Sequence, residues 1–89
     1  MKRATVHIIN KLGLHARASA KFVGLASSFS AEILLGRPGQ LANGKSIMGM
    51  MMLAAGKGSE LELVVDGADE DAAMAALCEL IQNRFGEGE

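Results

Sequence analysis

The chain has 89 residues, which predicts a single domain over residues 1–89, and 49% of them are hydrophobic, which is ample for a core. Its formal net charge of −1 argues against a nucleic-acid-binding protein, because such proteins usually carry a basic stripe. A single cysteine and no apolar run of ~18–20 residues indicate neither a disulfide framework nor a membrane insertion. The first residues lack the apolar stretch of a signal peptide, so we expect a cytoplasmic protein.

The hydrophobic pattern changes period along the chain. Alternation at period two predicts four strands, at Thr5–Ile9, Ala31–Leu35, Gln40–Asn43 and Glu60–Val65. Helical spacing predicts three helices, at Ala16–Ser28, at Ile47–Leu53 and from an N-cap at Asp69 to about Phe85. The order βαββαβα predicts an α+β open-faced sandwich, with a four-stranded, mainly antiparallel sheet and three helices on one face. We expect residues 87–89 to fray.

The segment Gly13–Arg17 lies where the first strand has ended and the first helix begins. His15 would be the N-cap or its neighbour, where the free N–H groups and dipole of the helix favour an anion. The planar, always charged guanidinium of Arg17 suits phosphate oxygens. A neutral imidazole is a nucleophile, so these residues suggest a phosphoryl acceptor. A histidine before a helix is more often only a solvated cap, and from the residues alone this alternative stays open.

The stretch Asn10–Arg17, which reads NKLGLHAR, resembles the active-site segment of the histidine-containing phosphocarrier protein family, HPr, of the bacterial phosphoenolpyruvate-dependent phosphotransferase system. The resemblance covers nearly the whole chain, including the segment Lys45–Gly49 and the acidic start of the last helix. Many family members have proline after the arginine, where this chain has Ala18. Alanine is a good helix former, so we expect a less rigid helix start with the chemistry intact.

The resemblance implies a carrier rather than an enzyme. His15 would be phosphorylated on Nδ1 by enzyme I and would pass the group to an A domain of an enzyme II, while Arg17 stabilises the phosphoryl group. No cofactor is implied, and a monomer is expected. Acceptors in sugar uptake or in a nitrogen-related branch both fit, and a regulatory binding module with the same fold is an alternative. With His7 and His15 as the only histidines and no cysteine cluster, we predict no metal site.

Ser46 precedes the short second helix and is a natural N-cap. The resemblance adds a regulatory role, because some bacteria phosphorylate this serine with an HPr kinase/phosphorylase. A phosphoserine at a helix N-terminus is tolerated by the fold and would oppose an acidic partner surface.

A different class of protein is suggested by Gly39–Ser46, which matches the P-loop pattern G-x-x-x-x-G-K-[ST] of nucleotide-binding proteins. A P-loop joins a buried parallel strand to a substantial helix. Here Gln40–Asn43 fits a hairpin strand, and the helix that follows is short. Too few residues separate Ser46 from the next strand for a right-handed crossover, so we reject the nucleotide-binding alternative.

The second helix holds more apolar residues than one face can bury. At about 100° per residue, Ile47, Met48 and Met51 share one side, whereas Met50 and Leu53 lie nearly opposite. We expect the side with Met50 to pack on the sheet and the side with Ile47, Met48 and Met51 to dock protein partners, because methionine-rich surfaces adapt to several partners. The alternative is isolated exposed apolar residues, which are common.

Overall fold

The computed structural model describes residues 1–88. Its four strands are β1 (Lys2–His7), β2 (Glu32–Arg37), β3 (Gln40–Asn43) and β4 (Glu60–Asp66). Its three helices are α1 (Ala16–Ala26), α2 (Ile47–Met52) and α3 (Glu70–Gln82). The strands form one sheet in the order β1-β4-β2-β3, and every neighbouring pair is antiparallel. The predicted open-faced α+β sandwich is therefore confirmed. No helix within the described residues is both long and apolar enough to cross a bilayer.

The core lies between the sheet and the helices. Strand β4 is central, since Leu63 faces Ala4 of β1 on one side and Leu35 of β2 on the other. The alternation of β4 places Leu61, Leu63 and Val65 in the core, each at most 1% exposed. The helices contribute buried residues from all three segments: Ala18, Phe22 and Ala26 from α1, Met50 from α2, and Ala73, Leu77 and Ile81 from α3.

Several strand boundaries differ from the sequence prediction. Strand β1 begins at Lys2 and ends at His7, because the whole of Lys2–His7 pairs with β4. Ile8 continues the contact irregularly, exchanging hydrogen bonds with Ser59 and Gly58 at 2.9 and 2.7 Å. Strand β2 extends to Arg37, so the hairpin turn consists of Pro38 and Gly39 alone, with Gly39 at φ 83.

The end of α3 was predicted wrongly. The helix stops at Gln82, and a single turn at Arg84–Gly86 follows, in which Arg84 and Phe85 have left-handed φ values of 54 and 53. Such a conformation costs a residue with a side chain roughly 1–2 kcal/mol. Complete burial of Phe85 and a 2.7 Å hydrogen bond from the Lys21 ammonium to its carbonyl oxygen offset that cost. The turn directs the following residues back toward α1.

Asp69 stabilises the start of α3 differently from the prediction. Its side chain makes no hydrogen bond to its own helix. The carboxylate oxygens instead accept the backbone N–H groups of Ser30 and Ala31, both at 2.9 Å. The bond from Ser30 is the largest of several that lower the pKa of Asp69. Asp69 therefore ties the beginning of α3 to the segment that leads into β2.

Candidate functional site

The loop before α1 is held against the chain that follows α2. Gly13 has a φ of 67, and Leu14, which is buried, donates its N–H to the carbonyl oxygen of Ala55 at 2.8 Å. A Cβ atom added to Gly13 would lie 2.4 Å from that oxygen and 2.7 Å from the Cα of Gly56. Glycine is required here both for the left-handed backbone and for the close approach. These contacts set where the next residue, His15, is placed.

His15 is the N-cap of α1, as the sequence predicts. Its backbone is extended, and its carbonyl oxygen accepts the N–H of Ser19 at 2.8 Å. The ring caps the helix as well, because Nδ1 accepts the backbone N–H of Arg17 at 3.3 Å. The side chain is 28% exposed, so the ring can be reached from solvent while one nitrogen stays at the helix end.

A carboxylate holds the other ring nitrogen. Nε2 of His15 is hydrogen bonded to Oε2 of Glu87, and Oε1 of Glu87 accepts a 2.9 Å hydrogen bond from the Asn10 side-chain amide. The Glu87 side chain is only 14% exposed. The hydrogen bond from Asn10 is the main cause that lowers the pKa of Glu87; His15 and Lys21 act in the same direction, and burial opposes them. Glu87 is therefore an ionised carboxylate at neutral pH.

These partners determine which nitrogen of the neutral ring carries the proton. A carboxylate can only accept hydrogen bonds, so Nε2 of His15 must be the donor to Glu87. The N–H of Arg17 can only donate, so Nδ1 must present its electron pair. Both contacts select the same tautomer, in which Nδ1 is the nucleophilic atom.

A basic cleft opens beside the ring. It is lined by His15 and Glu87, by the small residues Ala16 and Gly86, by Leu12, and by three basic side chains, those of Lys11, Arg17 and Lys21. Arg17 is exposed, and its guanidinium makes no hydrogen bond or ion pair with residues 1–88. It is therefore available to an anion that binds at Nδ1.

Glu87 and Asn10 are the site residues that sequence reasoning missed. The expectation that residues 87–89 fray is wrong for Glu87, and Glu89 lies outside the described residues. Gly86 after a helix does signal a left-handed turn. This signal predicts that the chain reverses after α3. It does not predict that Glu87, in the reversed segment, contacts His15.

Ser46 is the N-cap of α2, as predicted, and its Oγ accepts the N–H of Gly49 at 3.0 Å. The segment that matches the P-loop pattern is not folded as a P-loop. Gly39 lies in the hairpin turn, Gln40–Asn43 is an antiparallel strand, and the ammonium of Lys45 donates to the carbonyl oxygen of Phe29 at 2.7 Å.

The apolar side of α2 is open to solvent. Met50 is fully buried, whereas Ile47, Met48 and Met51 are 47%, 71% and 45% exposed. Met52, which the sequence analysis did not include, is also exposed, at 77%. These four residues line one shallow apolar depression, which we call the α2 patch.

The other histidine does not form a site of this kind. His7 is exposed, and its Nε2 lies 3.4 Å from Oε2 of Glu60. Residues 1–88 contain no cluster of three or more metal-ligating side chains.

An accessible imidazole at a helix N-terminus, beside a basic cleft on a βαββαβα sandwich, is characteristic of proteins that carry a phosphoryl group rather than hydrolyse a nucleotide. The family model described as "PTS HPr component phosphorylation site" matches residues 2–83. The chain belongs to this HPr family and is a phosphocarrier protein of the phosphotransferase system.

Several relatives cover nearly all of the chain. A phosphocarrier protein HPr of Neisseria meningitidis is 57% identical over 89 residues, which is 100% of both chains. One of Cupriavidus necator is 61% identical over 82 residues, 92% of each. A crystal structure of HPr from Thermoanaerobacter tengcongensis superimposes with a TM-score of 0.93 at 46% identity and covers 98% of both chains. A structure of an HPr dimer from the same organism has a TM-score of 0.77 and covers 98% of this chain and 100% of that one.

The position of His15 depends on Gly13, and Gly39 provides a matched control. Both glycines have positive φ, 67 and 83, but a Cβ on Gly39 meets nothing within 4 Å. Gly39→Ala should lower the free energy of unfolding by roughly 1–2 kcal/mol, the cost of a left-handed backbone. Gly13→Ala should lower it further, because the Cβ also collides with Ala55. Urea unfolding measures both, and equal losses would contradict the close contact described for Gly13.

Proposed function

We propose that His15 is the residue that carries the phosphoryl group, accepting it on Nδ1 from enzyme I in the cytoplasm and donating it to an A domain of an enzyme II. The observation that carries this proposal is the placement of an unprotonated Nδ1 at the N-terminus of α1, 3.3 Å from the N–H of Arg17. The opposite nitrogen already has a partner in Glu87. Attack through Nδ1 leaves that second contact undisturbed.

The surroundings of Nδ1 suit a group that must arrive and leave. A phosphoryl group carries roughly −1.5 to −2 charges, and the end of a helix stabilises an anion by ~0.3–2 kcal/mol. The exposed guanidinium of Arg17 can add hydrogen bonds to the phosphoryl oxygens, since it is charged at any physiological pH. The phosphoryl group is therefore stabilised only modestly, which lets a carrier release it again. The protein takes part stoichiometrically, as a monomer and without a cofactor, and the turnover belongs to its partners.

The decisive substitution is His15→Ala. The matched control is His7→Ala, because His7 is the second of the two histidines and is exposed at the end of β1. Incubation with enzyme I and labelled phosphoenolpyruvate should label the wild type and His7→Ala on histidine and leave His15→Ala unlabelled. Circular dichroism should show that all three proteins are folded. Labelling of His15→Ala would overturn the proposal, and an unlabelled wild type would favour the binding-module alternative.

We also infer that the α2 patch is the docking surface for these partners. Its four apolar side chains are exposed together, and α2 packs against α1, the helix that His15 caps. One adaptable surface beside the carried group lets a single small protein meet a donor and several acceptors. Burial of such side chains typically contributes about 1.5–3 kcal/mol each.

Introducing charge into the patch tests this inference. Met48→Lys with Met51→Lys should weaken enzyme I binding by about 100-fold or more, since two exposed apolar contacts are replaced by charges that must be desolvated. Ala72→Lys with Ala75→Lys adds the same charge on the exposed side of α3 and should bind as the wild type does. Titration calorimetry measures the affinities. Unaltered binding of the Met48/Met51 variant, or its unfolding, would show that these methionines have another role.

Ser46 is proposed as a regulatory phosphorylation site for an HPr kinase/phosphorylase. It precedes the α2 patch directly, so a phosphate on its Oγ would add negative charge at the edge of the docking surface. The N-terminus of α2 tolerates such a charge, and the fold should persist.

The regulatory role can be tested with two caps that differ in charge. Aspartate and asparagine both cap helices well. Ser46→Asp should therefore weaken binding to enzyme I by up to about fivefold, for a loss of roughly 1 kcal/mol, whereas Ser46→Asn should bind as the wild type does. Equal affinities for the two variants would remove the electrostatic basis of the regulation.

A further inference from the structure

The residues after α3 form a built contact with the ring of His15. The left-handed turn at Arg84–Gly86 reverses the chain, and the buried ring of Phe85 anchors the reversed segment in the core. Lys21 ties the same segment to α1 through the carbonyl oxygen of Phe85, at 2.7 Å. The side chain of Glu87 then reaches Nε2 of His15, the ring nitrogen that does not contact the end of α1.

The hydrogen bonds of Asn10 support the contact between Glu87 and His15 at a cost in folding free energy. Asn10 is fully buried, and its amide nitrogen donates to both Glu87, at 2.9 Å, and the carbonyl oxygen of Gly13, at 2.8 Å. Its amide oxygen has no hydrogen-bond partner within the part of the chain that the structure describes. A buried polar atom left without a partner costs about 1–3 kcal/mol. The side chain of Asn10 is thus oriented to donate to Glu87 and to the loop that positions His15, although its own oxygen is left unpaired among residues 1–88.

We propose that Glu87 is a positioning residue for phosphoryl transfer, which keeps the proton of His15 on Nε2 and stabilises the positive charge that the ring acquires when Nδ1 is phosphorylated. This role rests on the function proposed above for His15. Among the charged groups that face Glu87, His15 and Lys21 are cationic or potentially cationic. The hydrogen bond from Asn10 and these two neighbours lower the pKa of Glu87 and outweigh its burial, which acts in the opposite direction.

The bonds and charges of the transfer explain why Nε2 matters. The hydrogen bond from the Arg17 N–H to Nδ1 opens, and the freed electron pair of Nδ1 attacks phosphorus and forms a P–N bond. The bond between phosphorus and the donor atom breaks, and its electron pair remains on the donor. The proton stays on Nε2, so the ring becomes a phosphorylated imidazolium facing the carboxylate of Glu87. In the second transfer, the electron pair of the P–N bond returns to Nδ1 and a neutral imidazole leaves.

Without the proton on Nε2, the leaving group of the second transfer would be an imidazolate anion, which is far less stable. A carboxylate that orients a histidine and stabilises its imidazolium performs the same task in serine proteases. There, as here, the carboxylate contacts the nitrogen that does not take part in bond formation. Glu87 acts through His15 and does not touch the phosphoryl group.

Glu87→Gln tests the proposal, because an amide cannot serve both neighbours. Its single oxygen can accept from Asn10 or from Nε2 of His15, and its NH₂ group opposes the other donor. Glu79→Gln is the matched control, with the same change of charge at an exposed position on α3. Heteronuclear spectra of both variants should retain the dispersion of the folded wild type.

Two measurements are decisive. Nitrogen-15 NMR of the His15 ring, at a pH of about 8.5 where an ordinary imidazole is neutral, should show a proton on Nε2 in the wild type and in Glu79→Gln. Glu87→Gln should show a mixture of both tautomers. Steady-state transfer from enzyme I should lose on the order of tenfold or more in kcat with little change in KM; tenfold is the lower end of the loss when a partner that orients a metal-ligating histidine is removed.

The outcomes separate the two proposals. If Glu87→Gln keeps the wild-type tautomer, or changes it without slowing transfer, the positioning role of Glu87 is overturned while His15 keeps its assignment. A loss in KM alone would make Glu87 part of the docking surface and would equally overturn the role. If the wild type accepts no phosphoryl group at all, the proposed function itself fails, and the role of Glu87 fails with it.

Discussion

The hydrogen bond from the backbone of Arg17 to the ring of His15 joins the chemistry of this protein to its fold. A ring that caps its own helix cannot turn away from the positive end of that helix. The position of the helix end, in turn, follows from the close passage of Gly13 over Ala55. The ring of a partly exposed residue is thereby held in one place by backbone contacts.

Opposing charges around the ring explain how a carrier can bind a group without trapping it. Lys11, Arg17 and Lys21 attract an anion to the cleft. Glu87 lines the same cleft but contacts the other ring nitrogen, where its negative charge favours an imidazolium and not a second anion. Since each such contribution amounts to about one kcal/mol or less at an exposed site, small differences between partners can determine the direction of transfer.

The core and the proposed docking surface use different parts of the molecule. Nearly all the large buried side chains lie between the sheet and the inner faces of the helices, including Met50 of α2. The outer side of α2 contributes little to that core and leaves the α2 patch exposed. A helix with two apolar faces can therefore anchor itself with one and present the other. This division permits an apolar recognition surface without loss of the fold.

Sequence periodicity by itself determined the order of the elements, the hairpin and the two N-caps, His15 and Ser46, because strand alternation, helical spacing and capping are local properties. The features of a helix start and the resemblance of Asn10–Arg17 to HPr proteins also indicated His15 and Arg17 as candidate site residues, two positions apart at one helix end. Only the tertiary structure decided that α3 ends at Gln82 and that Glu87 returns to His15. The burial of Phe85 against residues distant in the sequence outweighs the local preference for helix, and no local pattern encodes that competition.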